Sequence, residues 1–139
     1  MAIAALITWL LTAAGGFVLL GTWIAKGGVQ QRSSSHLPPP VIFGHFLLAV
    51  AGLVLWIIYL VVSTKAVAWV AFALLIPVAL LGFFMLLRWL PVYRGRAGGI
   101  LSSTPPEHHF PVIVVGGHGV FAVVTVVLVL LTALGVGAS

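Results

Sequence analysis

Apolar residues run along this chain in four long blocks, separated by short groups of polar residues, glycines and prolines. A helix that crosses a bilayer needs about 20 consecutive apolar residues. The blocks reach that length and predict transmembrane helices at about 3–25, 41–63, 66–90 and 111–135. The third block is expected to end at Arg88-Trp89-Leu90-Pro91, and Pro77 is expected to kink its helix in the middle of the membrane. The pattern predicts an all-α integral membrane protein, a four-transmembrane-helix bundle with one domain over residues 1–139.

The composition supports a lipid environment. Hydrophobic residues make up 63% of the chain and charged residues only 5%, whereas soluble domains carry about 25% charged residues. A core of this size cannot cover so much apolar surface with so few polar side chains, so the solvent is lipid. The chain has no cysteine, which excludes disulfides, iron–sulfur clusters and the thioether attachment of a c-type haem.

Charge predicts the orientation of the helices. The chain has six Lys and Arg residues and one acidic residue. All the basic residues but Lys65 flank the first and third connections: Lys26, Arg32, Arg88, Arg94 and Arg96. The positive-inside rule therefore predicts that loops 1 and 3 are cytoplasmic and that both termini lie outside, in a plasma (inner) membrane. Positions at helix ends do not form the basic patch of a nucleic-acid-binding protein, so no nucleic-acid partner is expected.

Tryptophans lie near the predicted ends of the helices. Trp23 and Trp89 are near the cytoplasmic border, and Trp9 and Trp69 lie toward the opposite border. Tryptophan is enriched at both membrane–water interfaces, where its ring has an apolar body and a polar edge. The sequence therefore predicts two aromatic belts that face the lipid headgroups.

Two motifs occur twice, in the same order. The pattern GFxxLxxW occupies residues 16–23 and 82–89, and the pattern GHxxxAV occupies residues 44–50 and 117–123. The order indicates an internal duplication of two-helix units, at about 1–63 and 66–135. Since each unit holds two helices, both have the same orientation, and the sequence predicts two parallel repeats around an axis along the membrane normal.

The duplication gives His45 and His118 the same depth, near the cytoplasmic side, where they would face each other across the bundle. Small residues accompany each histidine on its helix and leave room between the helices: Gly44 and Ala49 on the second, Gly117 and Ala122 on the fourth. Two opposed imidazoles beside a slot are what a porphyrin needs. Arg88, with Lys26 and Arg32, lies near the cytoplasmic edge, where its charge would neutralise haem propionates.

With these residues the chain resembles the small four-helix membrane cytochromes b, which hold haem between histidines on different helices. The resemblance implies electron transfer through one haem b whose iron is bound by His45 and His118. It also implies a quinone or a redox protein as partner and, if the chain belongs to an enzyme, a quinone-linked oxidoreductase. The chain differs from the common two-haem pattern because no helix carries a histidine in its non-cytoplasmic half. No second haem is expected, and transfer across the whole membrane by this chain alone is not implied.

Two other functions fit the same residues. Glycine beside histidine also occurs where membrane helices pack closely, and a chain with such short loops fits a non-catalytic accessory subunit of a larger complex or homo-oligomer. In the third hypothesis the histidines titrate near neutral pH and gate a small proton or metal transporter or channel.

The loops contain the other histidines and the only carboxylate. Glu107, His108 and His109 in the third loop, with His36 in the first, have the side chains of a divalent-metal site. A water-exposed interfacial loop is the simpler interpretation, and the roles of the three histidines stay open. Because no span carries a carboxylate, the sequence argues against a carboxylate-driven ion pump.

Overall fold

The structure is a computed structural model that describes residues 1–95 and 104–137, so Arg96 lies outside the described residues. The described part of the chain folds into four long helices and one short 3-10 helix, without strands. The long helices are α1 (Ala2–Ala25), α2 (Pro39–Val62), α3 (Lys65–Arg94) and α4 (Val112–Ala133), and the 3-10 helix is Pro106–His109. All four long helices are long and apolar enough to cross a membrane. The predicted fold class, a four-helix integral membrane protein, is confirmed.

Helix α3 continues beyond residue 90, where the third span is predicted to end. Pro91 lies inside the helix, which ends only at Arg94. Proline costs one backbone hydrogen bond there, but Trp89 and Val92 on either side of it are both buried in the bundle. Burial of these two side chains holds the last turns of α3 in the helical conformation.

The helices pack as a ring in chain order. Helix α1 packs most closely on α4 and α2 on α3, while α3 also contacts α4 and α1 contacts α2 least. The short connection at 63–64 makes α2 and α3 close antiparallel neighbours. Helices α2 and α4 therefore occupy opposite corners of the bundle.

Buried side chains form two clusters, one at each end of the bundle. The cluster at the end that holds the termini contains Ala5, Trp9, Trp56, Ala68, Ala71, Leu75, Val129 and Ala133. The cluster at the other end contains Trp23, Leu37, Ile42, Trp89 and Phe110. We call this second end the basic end, because Lys26, Arg32, Arg88 and Arg94 lie there.

Between the two clusters lies a stretch of the bundle in which few residues are buried. Along α1 no residue is buried between Trp9 and Trp23, and along α2 none is buried between Ile42 and Gly52. The matching stretch of α3 begins after Val78, and residues 112–124 of α4 are likewise partly or fully exposed. We call this stretch the middle layer.

The tryptophans do not form the predicted belts. Trp9, Trp23 and Trp89 are all buried inside the bundle, and of the four only Trp69 is exposed. The indole N–H groups of Trp23 and Trp89 donate hydrogen bonds to partners inside the protein. These two rings therefore do not require water or headgroups as hydrogen-bond acceptors. For these three residues the prediction that the ring faces the lipid headgroups is wrong, because the rings are buried in the bundle.

Candidate functional site

His45 and His118 lie side by side in the middle layer. Each is the seventh residue of its helix, counted from Pro39 in α2 and from Val112 in α4, which is about 9 Å along the helix axis. Their ring centroids are 6.2 Å apart and the ring planes make an angle of 57°. The structure thus brings together the two histidines that the repeated motif singles out.

A backbone carbonyl fixes each imidazole. His45 Nδ1 lies 2.9 Å from the carbonyl oxygen of Val78 in α3, and His118 Nδ1 lies 2.8 Å from that of Thr12 in α1. A carbonyl oxygen only accepts hydrogen bonds, so Nδ1 carries the proton in both rings and donates it. The lone pair of a neutral imidazole is then on Nε2. Metal-ligating histidines are commonly oriented in this way by a carbonyl behind the ring.

Glycines on the neighbouring helices make space for both rings. A Cβ atom placed on Gly82 would lie 3.4 Å from His45 Cε1, and one placed on Gly16 would lie 3.1 Å from His118 Cε1. Gly82 follows Val78, and Gly16 follows Thr12, by one helical turn. Each glycine is thus one turn beyond the carbonyl that accepts the imidazole hydrogen bond. The two histidines therefore occupy matching surroundings, each built by the glycine of the GFxxLxxW motif on a neighbouring helix.

Gly16 and Gly82 are site residues that the sequence alone did not assign. Their equal positions in the repeated GFxxLxxW motif were the available signal. The contacts add a second signal: Gly16 lies against His118 and Gly82 against His45, so each glycine faces the histidine of the other predicted repeat. The duplication itself stays a prediction.

The small residues beside the histidines border open space. A Cβ atom on Gly117 would meet no heavy atom within 4 Å, and one on Gly44 would meet only Leu81 Cδ1 at 3.9 Å. Ala49 and Ala122 are partly exposed. Close packing against a neighbouring helix therefore does not account for Gly44 or Gly117.

Arg88 lies at the basic end and contacts loop 1. It follows Gly82 by six residues, which corresponds to about 9 Å along α3 and about 120° around its axis. Its Nε donates to the carbonyl oxygen of His36, and its guanidinium lies 5.6 Å from the centroid of the Phe84 ring. Its predicted contact with a haem propionate stays a prediction.

Glu107 forms the centre of a hydrogen-bonded cluster at the basic end. Its carboxylate accepts from Ser35 Oγ at 2.8 Å and from His36 Nδ1 at 3.0 Å, as well as from the His36 backbone N–H. Two tryptophans join the cluster: Trp23 donates to Ser35 Oγ, and Trp89 donates to the Glu107 carbonyl.

This cluster corrects the interpretation of the third loop. Glu107 is 0% exposed, so a water-exposed position for it is wrong. The carboxylate is buried because donors from loop 1 replace water on both of its oxygens. Over residues 1–95 and 104–137 no group of three His, Cys, Asp or Glu side chains is placed to hold a metal ion, the loop histidines included.

The fold and the histidine pair define a class of protein, a small four-helix membrane bundle with two imidazoles in its interior. Comparison with protein-family models, curated proteins and solved structures finds no match. The geometry of the His45–His118 pair therefore carries the functional argument.

Proposed function

We propose that the chain is a membrane b-type haem protein that transfers electrons through one haem b, with His45 and His118 as the axial ligands. This proposal rests on the distance between the centroids of the two imidazole rings. Two imidazole nitrogens that each bind one metal ion at about 2 Å are about 4 Å apart, and their ring centres, about 1 Å further back, are about 6 Å apart. The observed ring centroids are 6.2 Å apart.

Haem fits this ligand set better than a bare metal ion. Structural zinc sites have four protein ligands, and catalytic ones have three. The described residues offer no third histidine, cysteine or carboxylate near the pair. A porphyrin supplies four nitrogens of its own, so its iron needs only the two axial imidazoles.

The small residues of the middle layer also support the proposal. None of its residues in α2 between Ile42 and Gly52 is buried, a stretch of about 14 Å at 1.5 Å per residue. The open space beside Gly44 and Gly117 lies at the level of the two histidines. A flat macrocycle held by the two rings would lie beside these small residues.

Two axial histidines favour electron transfer over catalysis at the metal. Haem, when bound, supplies a one-electron redox couple, and its potential depends on the axial ligands and the burial of the site. With His45 and His118 both holding the haem, no position on its iron would be left for a substrate. The Nδ1 hydrogen bonds to Val78 and Thr12 hold the imidazoles in place, as backbone carbonyls commonly do for metal-ligating histidines.

The orientation of the chain belongs to the same proposal. The positive-inside rule puts the basic end, with loops 1 and 3, in the cytoplasm and the termini outside a plasma (inner) membrane. The haem would then lie near the cytoplasmic side and exchange electrons with a quinone or a redox protein there. A haem-carrying subunit of a quinone-linked oxidoreductase is consistent with this position.

The visible spectrum of the purified protein tests the proposal. After expression with added haem precursor, we expect a Soret band and an α band that change on reduction with dithionite, and one haem per chain by the pyridine haemochrome assay. A colourless protein would overturn the proposal. If that colourless protein co-purified with a stoichiometric membrane partner, the accessory-subunit function would replace it.

Alanine at Gly16 should weaken haem binding. The new Cβ would lie 3.1 Å from His118 Cε1, so the ring must shift by a few tenths of an ångström from its position. Overpacking of this kind costs about 1–3 kcal/mol, and we expect haem to leave about tenfold faster. The rate is measured by transfer of haem to apomyoglobin.

The matched control for this variant is Gly21→Ala, on the same helix. A Cβ at Gly21 meets nothing within 4 Å, so this variant should lose haem at the wild-type rate. Equal rates for the two variants would show that the ring of His118 does not have to stay against Gly16.

A further inference from the structure

A polar groove lies at the basic end, outside the histidine pair. It has a volume of about 380 Å³, and loop 1 and Arg88 line it. Its polar side chains are those of Gln30, Gln31, Ser33, Ser35, His36 and Arg88. The groove opens where α1 has ended at Ala25 and α2 begins at Pro39. In a bilayer this level corresponds to the border between the hydrocarbon core and the headgroups.

Arg88 gives the groove a fixed cation. The hydrogen bond from its Nε to the His36 carbonyl and the ring of Phe84 beside its guanidinium hold the side chain in position. Its two terminal nitrogens carry four further N–H groups. A planar guanidinium binds phosphate oxygens through paired hydrogen bonds, and a fixed one loses less entropy when it does so.

No acidic side chain among the described residues lines the groove. Glu107 is the only acidic residue of the chain, and it is fully buried, with its oxygens occupied by Ser35 and His36. The ring of His36 is 54% exposed beside the groove. In the part of the chain that the structure describes, Arg88 is therefore the only charged side chain that lines the groove, which favours an anionic ligand.

We propose that this groove binds the phosphate group of an anionic phospholipid. The level of the groove in the bilayer favours a lipid headgroup as the ligand. The Arg88 guanidinium favours a phosphate group, and the volume of the groove is large enough for a headgroup. The proposal does not depend on the haem. A haem propionate would use the same guanidinium, and the experiment separates the two ligands.

The test is native mass spectrometry of the full chain in detergent, titrated separately with phosphatidylglycerol, phosphatidylcholine and inorganic phosphate. We expect one saturable phosphatidylglycerol and weaker binding of phosphatidylcholine. Arg88→Gln should weaken the phosphatidylglycerol complex about tenfold, because it removes charge-assisted hydrogen bonds. Arg94→Gln is the matched control: it removes the same charge from the last turn of α3 but does not line the groove, and its affinity should stay within about twofold of wild type.

Three results would overturn the lipid site: no saturable binding, an equal loss in both variants, or an unchanged lipid affinity in Arg88→Gln together with loss of haem. The last result would assign Arg88 to a haem propionate. Competition by inorganic phosphate as strong as that by phosphatidylglycerol would keep the phosphate chemistry and replace the lipid by free phosphate. Arg88→Lys keeps the charge but not the planar guanidinium, so its phosphatidylglycerol affinity should lie between those of wild type and Arg88→Gln. The melting curve of the variant reports whether its fold is intact.

Discussion

The His118→Ala variant is expected to lose the Soret and α bands completely, and so is His45→Ala. Under the proposed haem ligation each variant would remove one of two axial ligands, and no third His, Cys, Asp or Glu among the described residues could replace it. Metal affinity falls steeply when one of so few protein ligands is lost. The measurement is the visible spectrum and the haem content of each purified variant, with the wild type at one haem per chain.

Two controls separate a lost ligand from a lost fold. His109→Ala removes an imidazole from the 3-10 helix at the basic end, outside the bundle interior, and should keep the full spectrum. Added imidazole should restore part of the Soret band to His118→Ala, because the small ligand can enter the space that the side chain leaves. A full spectrum in either single alanine variant would contradict axial ligation by both histidines.

The Glu107→Gln variant should be clearly less stable than wild type. The carboxylate accepts three hydrogen bonds in a fully buried position, one from Ser35 and two from His36. Glutamine has one acceptor oxygen and an NH2 group, so at least one buried donor would face another donor. Such a group costs about 1–3 kcal/mol, and we expect the melting temperature in detergent to fall by several degrees. The haem bands should remain, since the histidine pair lies in another layer.

Two neighbouring serines provide the matched comparison. Ser35 Oγ connects the Trp23 indole to the Glu107 carboxylate, whereas Ser34 Oγ makes one exposed contact with the Thr104 carbonyl at 3.4 Å. Ser35→Ala should cost about 1–2 kcal/mol, and Ser34→Ala should change the stability by less than about 0.5 kcal/mol. Equal melting temperatures for the two serine variants would contradict a stabilising role for the cluster.

The histidine pair was accessible to sequence analysis because the GHxxxAV motif is repeated. Equal positions in two helices of the same direction imply equal depth, and the structure has both histidines as the seventh residue of a helix. The same motif says nothing about what lies behind each ring. The carbonyls of Val78 and Thr12 are 33 and 106 residues away along the chain.

The cluster around Glu107 was not accessible in this way. A lone carboxylate next to prolines and histidines has the local composition of a wet loop, and only contacts across 71 and 72 residues bury it. The same contacts explain the misplaced tryptophans. Trp23 and Trp89 stand at the helix ends that a belt requires, but their N–H groups face inward to Ser35 and to the Glu107 carbonyl.

The amino-acid sequence by itself determined the four membrane helices and the depth of the two histidines. Both follow from one-dimensional information, because a helix in lipid satisfies its own backbone hydrogen bonds and because its rise per residue is constant. Only the tertiary structure decided how each helix is rotated and which neighbour it packs against. That rotation turns His45 and His118 toward each other, puts Gly82 and Gly16 behind them, and directs Glu107 into the bundle. Such contacts depend on side-chain packing between distant segments, which no local pattern contains.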